Sequence, residues 1–525
     1  MVPGYAALSV DRSTLNSQQL LAQLSKSPTA KKAMLIVFDH KAHGDTVVER
    51  PQQLSGALLL KDGQVHWHAM DEMAQGSEYL AQYERWVEPN STKGMAFRLG
   101  DTDRGDTDRG DSVSNGGTDS PTIERELLND QGVAITRESL WPSLGQWVER
   151  TLWQPLAKQG LLNGADEIVL VTQGQDAHSI PWQMGAPVAA TAIKRYPGLM
   201  FYAMDTELLS RAACHEDAAL GVAHYKGQER ALPFARIEAK TLCEIWTQAG
   251  HPVQQDFDYL RPTQRVGSVH VAGHGSHAME AKQTAAAAAC LSVGENTRWG
   301  LSELMSSPAR PRQVYLSCCV AGRTTDLAGE QYGVTAALLQ HGTREVVASY
   351  VSLEDAWGSA LSIVTHSLMS QHGLDMKHAL DQAQAMVTGR LPWDETAKAW
   401  VLKGWRERLT ELIARMLEKR QAEVMSMDSA ESLAVKIANR IQEEVFDHLP
   451  HLARERLDQE SHLAWCQALA RDFFDAGAGR TWSQERWEAL AAGYADKLLQ
   501  HAHWRMQPPA LIAGSLAFAT TAVGG

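Results

Sequence analysis

The chain has 525 residues, 44% of them hydrophobic and 21% charged, and a formal net charge of −13. Such a length is too great for one ordinary core and predicts about two to four domains. The acidic balance, with no cluster of Lys and Arg, argues against a nucleic-acid binder, which works through a basic face. Residues 1–30 are polar and read as an N-terminal tail. Their first stretch, "MVPGYAALSVDRSTLNSQQ", lacks a basic region followed by an apolar one, so no secretory signal is expected and a cytoplasmic location is. "KAMLIVFDH" and "GALLLKDGQVHWHAM" then read as strands, the second broken by a "KDG" hairpin signal. A helix follows at "SEYLAQYERWVE". The next segment, "DTDRGDTDRGDSVSNGGTDS", has almost no apolar residue and cannot offset its ordering entropy, so a flexible loop is expected over 98–121. Its aspartates miss the EF-hand spacing, with Gly105 and Ser112 where ligands belong, so no calcium site and no metal is expected.

In "SLWPSLGQWVERTLWQPLAKQG", Leu140, Leu144, Trp147, Leu152 and Leu156 recur near helical spacing and give one apolar face. From there strands and helices alternate. "EIVLVTQ", "SVHVAGHG", "QVYLSCC" and "REVVASYV" read as strands. "ALPFARIEAKTLCEIWTQAG", "GVTAALLQHG", "AWGSALSIVTHSLMSQHG" and "DMKHALDQAQAMV" read as helices. Strands apolar on both faces predict an α/β fold with a mostly parallel sheet flanked by helices. Beyond Pro392 the composition shifts to amphipathic segments rich in Trp, Glu, Arg and Ala, predicting a C-terminal α-helical domain. The closing "ALIAGSLAFATTAV" is apolar but shorter than the ~20 residues that span a bilayer, so it reads as a packed element and no membrane span is expected.

The six cysteines, Cys214, Cys243, Cys290, Cys318, Cys319 and Cys466, form no CxxC pair, which predicts reduced thiols. Two strands carry reactive groups at their ends. "VHVAGHGSH" delivers His274 just before Gly275, and "QVYLSCCVAG" delivers Cys318 and Cys319. Ligands of an open parallel sheet sit beyond the carboxyl ends of its strands. If the two strands are neighbours, His274 and Cys319 face each other, as a base and a nucleophile for an acyl carbon. The backbone N–H groups of Gly275 and Cys319 would then serve an oxyanion. A lone strand-end His is more often solvated or satisfied in a core, and a lone strand Cys is more often a small buried hydrophobe. Only the pair on successive strands points toward chemistry.

"HVAGHGSH" and "VYLSCCVAG" resemble the two catalytic strand ends of the CHAT-domain proteases, cysteine peptidases related to caspases and separases. The resemblance extends in order through "IVLVTQGQDAHSIPWQM", "ALPFARIEAKTL", "GEQYGVTAALLQHGTREVVASYVSLEDAWGSAL" and "HALDQAQ", covering roughly residues 30–390. It implies a caspase-like sheet built of a pseudo-protease half, 31–205, and an active half, 206–391, with 392–525 as the added helical domain and its apolar tail. It also implies His274 as general base, Cys319 as nucleophile, and Asp355, with Glu354 beside it, as the acidic residue of a pocket for a basic P1 side chain. The sequence departs from the family in having "CVAG" after the nucleophile and Val351 where Trp is common. No cofactor is implied. The resemblance implies a protein substrate and a regulatory partner. Many relatives act in bacterial defence and programmed cell death, some beside gasdermin-like pore formers. The competing reading is a catalytically silent scaffold that recruits partners through its helical region.

Overall fold

The computed structural model describes residues 32–41, 53–91, 134–198, 219–277, 289–424, 484–501 and 518–522 apart from short stretches within them, and a few positions between 464 and 471. The N-terminal tail, the Asp-rich loop, the expected seam near 205 and Glu354 lie outside the described residues. The strands are β1 (Lys32–Lys41), β2 (Gln53–Lys61), β3 (Gln64–Ala69), β4 (Glu167–Gln173), β5 (Ala192–Tyr196), β6 (Leu220–His224), β7 (Val253–Gln255) and β8 (Ser268–His277). They continue with β9 (Ala289–Ser292), β10 (Arg298–Gly300), β11 (Gln313–Cys318), β12 (Thr325–Leu327), β13 (Glu330–Tyr332), β14 (Glu345–Ser349) and β15 (Phe518–Ala522). The helices are α1 (Met73–Ser91), α2 (Leu140–Val148), α3 (Gln154–Lys158), α4 (Ala235–Gln248), α5 (Leu301–Ser306) and α6 (Val334–Gln340). After them come α7 (Asp355–His372), α8 (Met376–Val387), α9 (Glu395–Val424) and α10 (Gln484–His501).

One sheet has the order β10-β9-β8-β11-β14-β15-β5-β4-β1-β2-β3, with β6 and then β7 also attached through β8; β12 and β13 form a separate ribbon. The strands β7, β6, β8, β11 and β14 are mutually parallel. So are β5, β4 and β1. Between these two blocks lies β15, antiparallel to β14 and parallel to β5, so the blocks run in opposite senses. Residues 518–522 of the apolar tail are therefore a strand between the two blocks.

Continuous apolar runs explain the parallel blocks, because both faces are covered. On one face, Val269, Val271, Val314, Leu316 and Cys318 pack with α5 and α6. On the other, Leu220, Val222, Tyr315 and Val347 pack with α4, α7, α8 and α9. Around β1 and β4, Leu35, Val37 and Leu170 pack against α1 and α2. The expected apolar face of 140–156 is fully buried. A π-helical turn, Glu149–Trp153, joins α2 to α3, and its wider step accounts for the five-residue interval from Trp147 to Leu152.

Just beyond the composition shift, α9 joins the same core as α4 and α7. Val401, Trp405 and Leu409 are buried, each worth roughly 1.5–3 kcal/mol. Ion pairs Arg236–Glu411, Lys240–Glu407 and Lys403–Glu244 lace α9 to α4, but such partly exposed pairs add only ~0–1 kcal/mol each. On its other side α9 holds α10 through Arg406 and Asp496. No described helix is long and apolar enough to cross a membrane.

Candidate active site

The register of β8 and β11 puts Gln313 opposite Ser268 and Cys318 opposite Gly273. One step further brings Cys319, just past the end of β11, level with His274, where β8 leaves its parallel pairing with β11 and runs on beside β9; the end of a parallel ladder is the usual place for a ligand crevice. Alternation carries His270, Ala272 and His274 to one face of β8, and Tyr315 and Ser317 to the same face of β11, with Cys319 in the turn just after that strand.

The two cysteines have different surroundings. Cys318 is 1% exposed and its Sγ contacts the Val271 carbonyl at 3.5 Å. Burial pushes its thiol well above the ordinary value, and an inert thiol is the consequence. Cys319 is half-buried. After it, Val320 adopts a φ of 48°, a strained left-handed conformation for a β-branched residue, which turns the chain sharply out of the strand. That turn is fastened to the end of β14. The Gly322 N–H donates to the Ser349 carbonyl at 2.8 Å, and Arg323 Nε donates to the Tyr350 carbonyl at 2.7 Å. Tyr350 in turn lies under the buried guanidinium of Arg195 on β5, 4.3 Å from its ring centre. Arg195 donates to the carbonyls of Ile180 and His178 at 3.0 and 2.5 Å. Thus the block containing β5 braces the turn that follows Cys319.

His274 packs edge-on against Tyr225, with ring centres 4.7 Å apart. Its Nε2 is buried and has no hydrogen-bond partner among the described residues. Burial lowers its pKa, so the imidazole is neutral at pH 7 and free to take a proton. Gly275 abuts the carbonyl of Cys319: a Cβ there would overlap that oxygen. Only glycine permits this approach. Gly275→Ala should displace the Cys319 backbone and lower activity about a hundredfold, since a misplacement of about 1 Å can cost that much. Steady-state kinetics beside a circular-dichroism melt would check it.

Asp355 opens α7. One carboxylate oxygen accepts the Phe234 N–H at the start of α4, at 2.6 Å. Burial pushes its pKa up to about 7, against the pull of that hydrogen bond. No group of three or more metal-ligating side chains occurs among the described residues.

Sequence reasoning missed a polar cluster on the same face of the sheet. Glu238 of α4, 1% exposed, is 2.9 Å from His270 Nε2, and Ser317 Oγ donates to its other oxygen at 3.3 Å. His270 Nδ1 lies 3.1 Å from His366 Nε2, and Trp246 Nε1 donates to His366 Nδ1 at 3.1 Å. A signal existed. Glu238 falls in the apolar stripe of its helix, with Ala235, Leu242 and Ile245, where a charged residue needs a partner.

No curated protein matches the chain. Solved structures show slight likeness, two of them as follows. One is the Arg-specific cysteine proteinase gingipain R, at 15% identity and a TM-score of 0.31, covering 50% of this chain and 66% of that one. The other is the complex of Porphyromonas gingivalis RgpB pro- and mature domains, at 15% identity and a TM-score of 0.30, covering 49% of this chain and 67% of that one. Likenesses this distant carry no weight for mechanism. The CHAT domain family matches residues 142–438, more than half of the sequence, and the chain belongs to that family.

Proposed function

We propose that the chain is a cysteine endopeptidase in which Cys319 attacks a peptide carbonyl carbon and His274 is the general base. The observation that carries this reading is the β8–β11 register, which brings a neutral imidazole whose Nε2 has no partner among the described residues level with a half-buried cysteine. The Cys319 proton passes to His274. The thiolate forms a C–S bond and His274 returns the proton to the departing amine. Water then hydrolyses the thioester. Gly275 and Cys319 N–H groups would receive the oxyanion. The two opposed parallel blocks support a division into a pseudo-protease half and an active half. With the family resemblance, the reading extends to a regulated effector of bacterial defence or cell death. It would act in the cytoplasm on a protein substrate, for which a pore-forming protein is a candidate, and a partner acting through the helical C-terminal region would control it.

Asp355 supports a basic P1 preference, with one carboxylate oxygen held by Phe234 and the group placed at the head of α7. A peptide library digested by the full chain and read by mass spectrometry tests both points. Cleavage after Arg or Lys is expected, and Asp355→Asn should depress it far more than cleavage after neutral residues. Cleavage after Asp or a small apolar residue would remove the P1 assignment. A wild-type chain that cleaves nothing while retaining its fold would favour the silent scaffold.

A further inference from the structure

The buried cluster beneath the site has a fixed direction. Tryptophan Nε1–H can only donate, so His366 Nδ1 must accept from Trp246. Burial holds His366 well below its ordinary pKa and His270 down to about 3, so both rings are neutral. The proton of His366 is therefore on Nε2 and is donated to His270 Nδ1. The proton of His270 is on Nε2 and is donated to Glu238 Oε1. Every tautomer follows from one indole. The chain of donors ends on Glu238, whose other oxygen faces Ser317.

Ser317 is two residues before Cys319, which follows the last residue of β11 directly. We propose that Glu238 is a positioning residue, which clamps Ser317 to α4 and so sets the seat and reactivity of Cys319. This inference rests on Cys319 being the nucleophile. An ionised Glu238 receives a charge-assisted bond from Ser317, and a protonated one, its hydroxyl on the oxygen facing Ser317, shares only a neutral bond with it, about half as strong. Burial pushes the Glu238 pKa up to about 7, opposed by hydrogen bonds from Ser362 and Ser317, so the clamp tightens as pH rises through neutrality. The groups around it are His270 on β8, Tyr315 and Ser317 on β11, and Asp355 and Ser362 on α7, with His366 reached through His270; Arg408 on α9 acts on Asp355. Asp355, which also titrates near 7, is the one whose ionisation opposes that of Glu238.

Glu238→Gln keeps the acceptor for His270 and imitates the protonated acid permanently. A purely structural role would show in the melting temperature alone. Because the folded pKa is raised, the stability that neutral Glu238 contributes is lost as pH rises from the ordinary carboxylate value of 4.5 to about 7, so the Gln variant should melt no lower than wild type at pH 8.

The test is the second-order rate of iodoacetamide alkylation at Cys319, located by mass spectrometry on the full chain between pH 5.5 and 9. In wild type a kinetic ionisation near 7 is expected in addition to that of the thiol. Glu238→Gln and Ser317→Ala should each slow alkylation about tenfold at pH 8 and remove that ionisation, the loss of one strong hydrogen bond. The double variant should be no slower than either single one, because one clamp is lost once. Additive losses, or unchanged rates and pH profiles in a chain whose Cys319 reacts rapidly, overturn the clamp. A wild-type Cys319 no more reactive than Cys290 overturns the nucleophile assignment, and the clamp with it.

Discussion

Cys319→Ala and His274→Ala should each lower peptide cleavage by on the order of a thousandfold or more, because members of a nucleophile–base pair act as a unit. Neither change should unfold the protein. Cys319 is half-buried, so little apolar surface is lost. His274 makes no hydrogen bond through Nε2, so no described partner of that atom is left unsatisfied. Cys318→Ala is the matched control. It removes a core sulfur beside Val271 and should cost some stability, with cleavage per folded molecule largely kept. The double variant Cys319→Ala/His274→Ala should be no slower than Cys319→Ala alone. Cleavage, melting temperature and the two controls together separate chemistry from packing.

Removing residues 516–525 should destabilise the chain by about 3 kcal/mol or more, from roughly five ladder hydrogen bonds at about 0.5–1.5 kcal/mol each. The strand lost, β15, pairs along the whole of β14, from Glu345–Ala522 to Ser349–Phe518. Its loss opens the join between the blocks and exposes two edges, which invites association. Activity should fall further than stability. The end of β14 anchors the turn after Cys319 through Ser349 and Tyr350. Composition predicts that a chain ending at 392 is a soluble domain that keeps a reactive thiol but loses regulated activity. The burial of α9 and the place of β15 lead to the opposite expectation, a fragment that aggregates. Thermal melts and size-exclusion chromatography check both truncations. A tail-less chain that melts and elutes like the full one would show that β15 is dispensable.

Much of the sheet could be read from the sequence because its strands are long apolar runs closed by Gly or polar residues. "QVYLSCC" shows where β11 ends and Cys319 emerges, whereas β8 runs past the His-Gly of "SVHVAGHG" to His277 by pairing with β9, which the sequence did not reveal. That the two strands are neighbours is a long-range fact, and only the resemblance implied it. β15 was not legible as a strand. "FATTA" is five residues in an Ala- and Gly-rich tail, and its partners β14 and β5 are remote in sequence. The partition at 392 followed a real change in composition, but amphipathic helices with many charges also fit a core helix such as α9, whose polar side pairs with α4. Glu238 was missed for a related reason. Between Arg236 and Lys240 it looks like one more surface charge, and only the helical phase sets it apart.

The most direct measurement is covalent capture. A peptidyl acyloxymethyl ketone with Arg at its reactive end, incubated with the full chain, should add to one cysteine by displacing its carboxylate. Tandem mass spectrometry then locates the adduct. The account predicts a single adduct on Cys319, absent in Cys319→Ala and formed far more slowly in His274→Ala. An adduct on Cys318 or Cys290, or equal rates in wild type and His274→Ala, would contradict it.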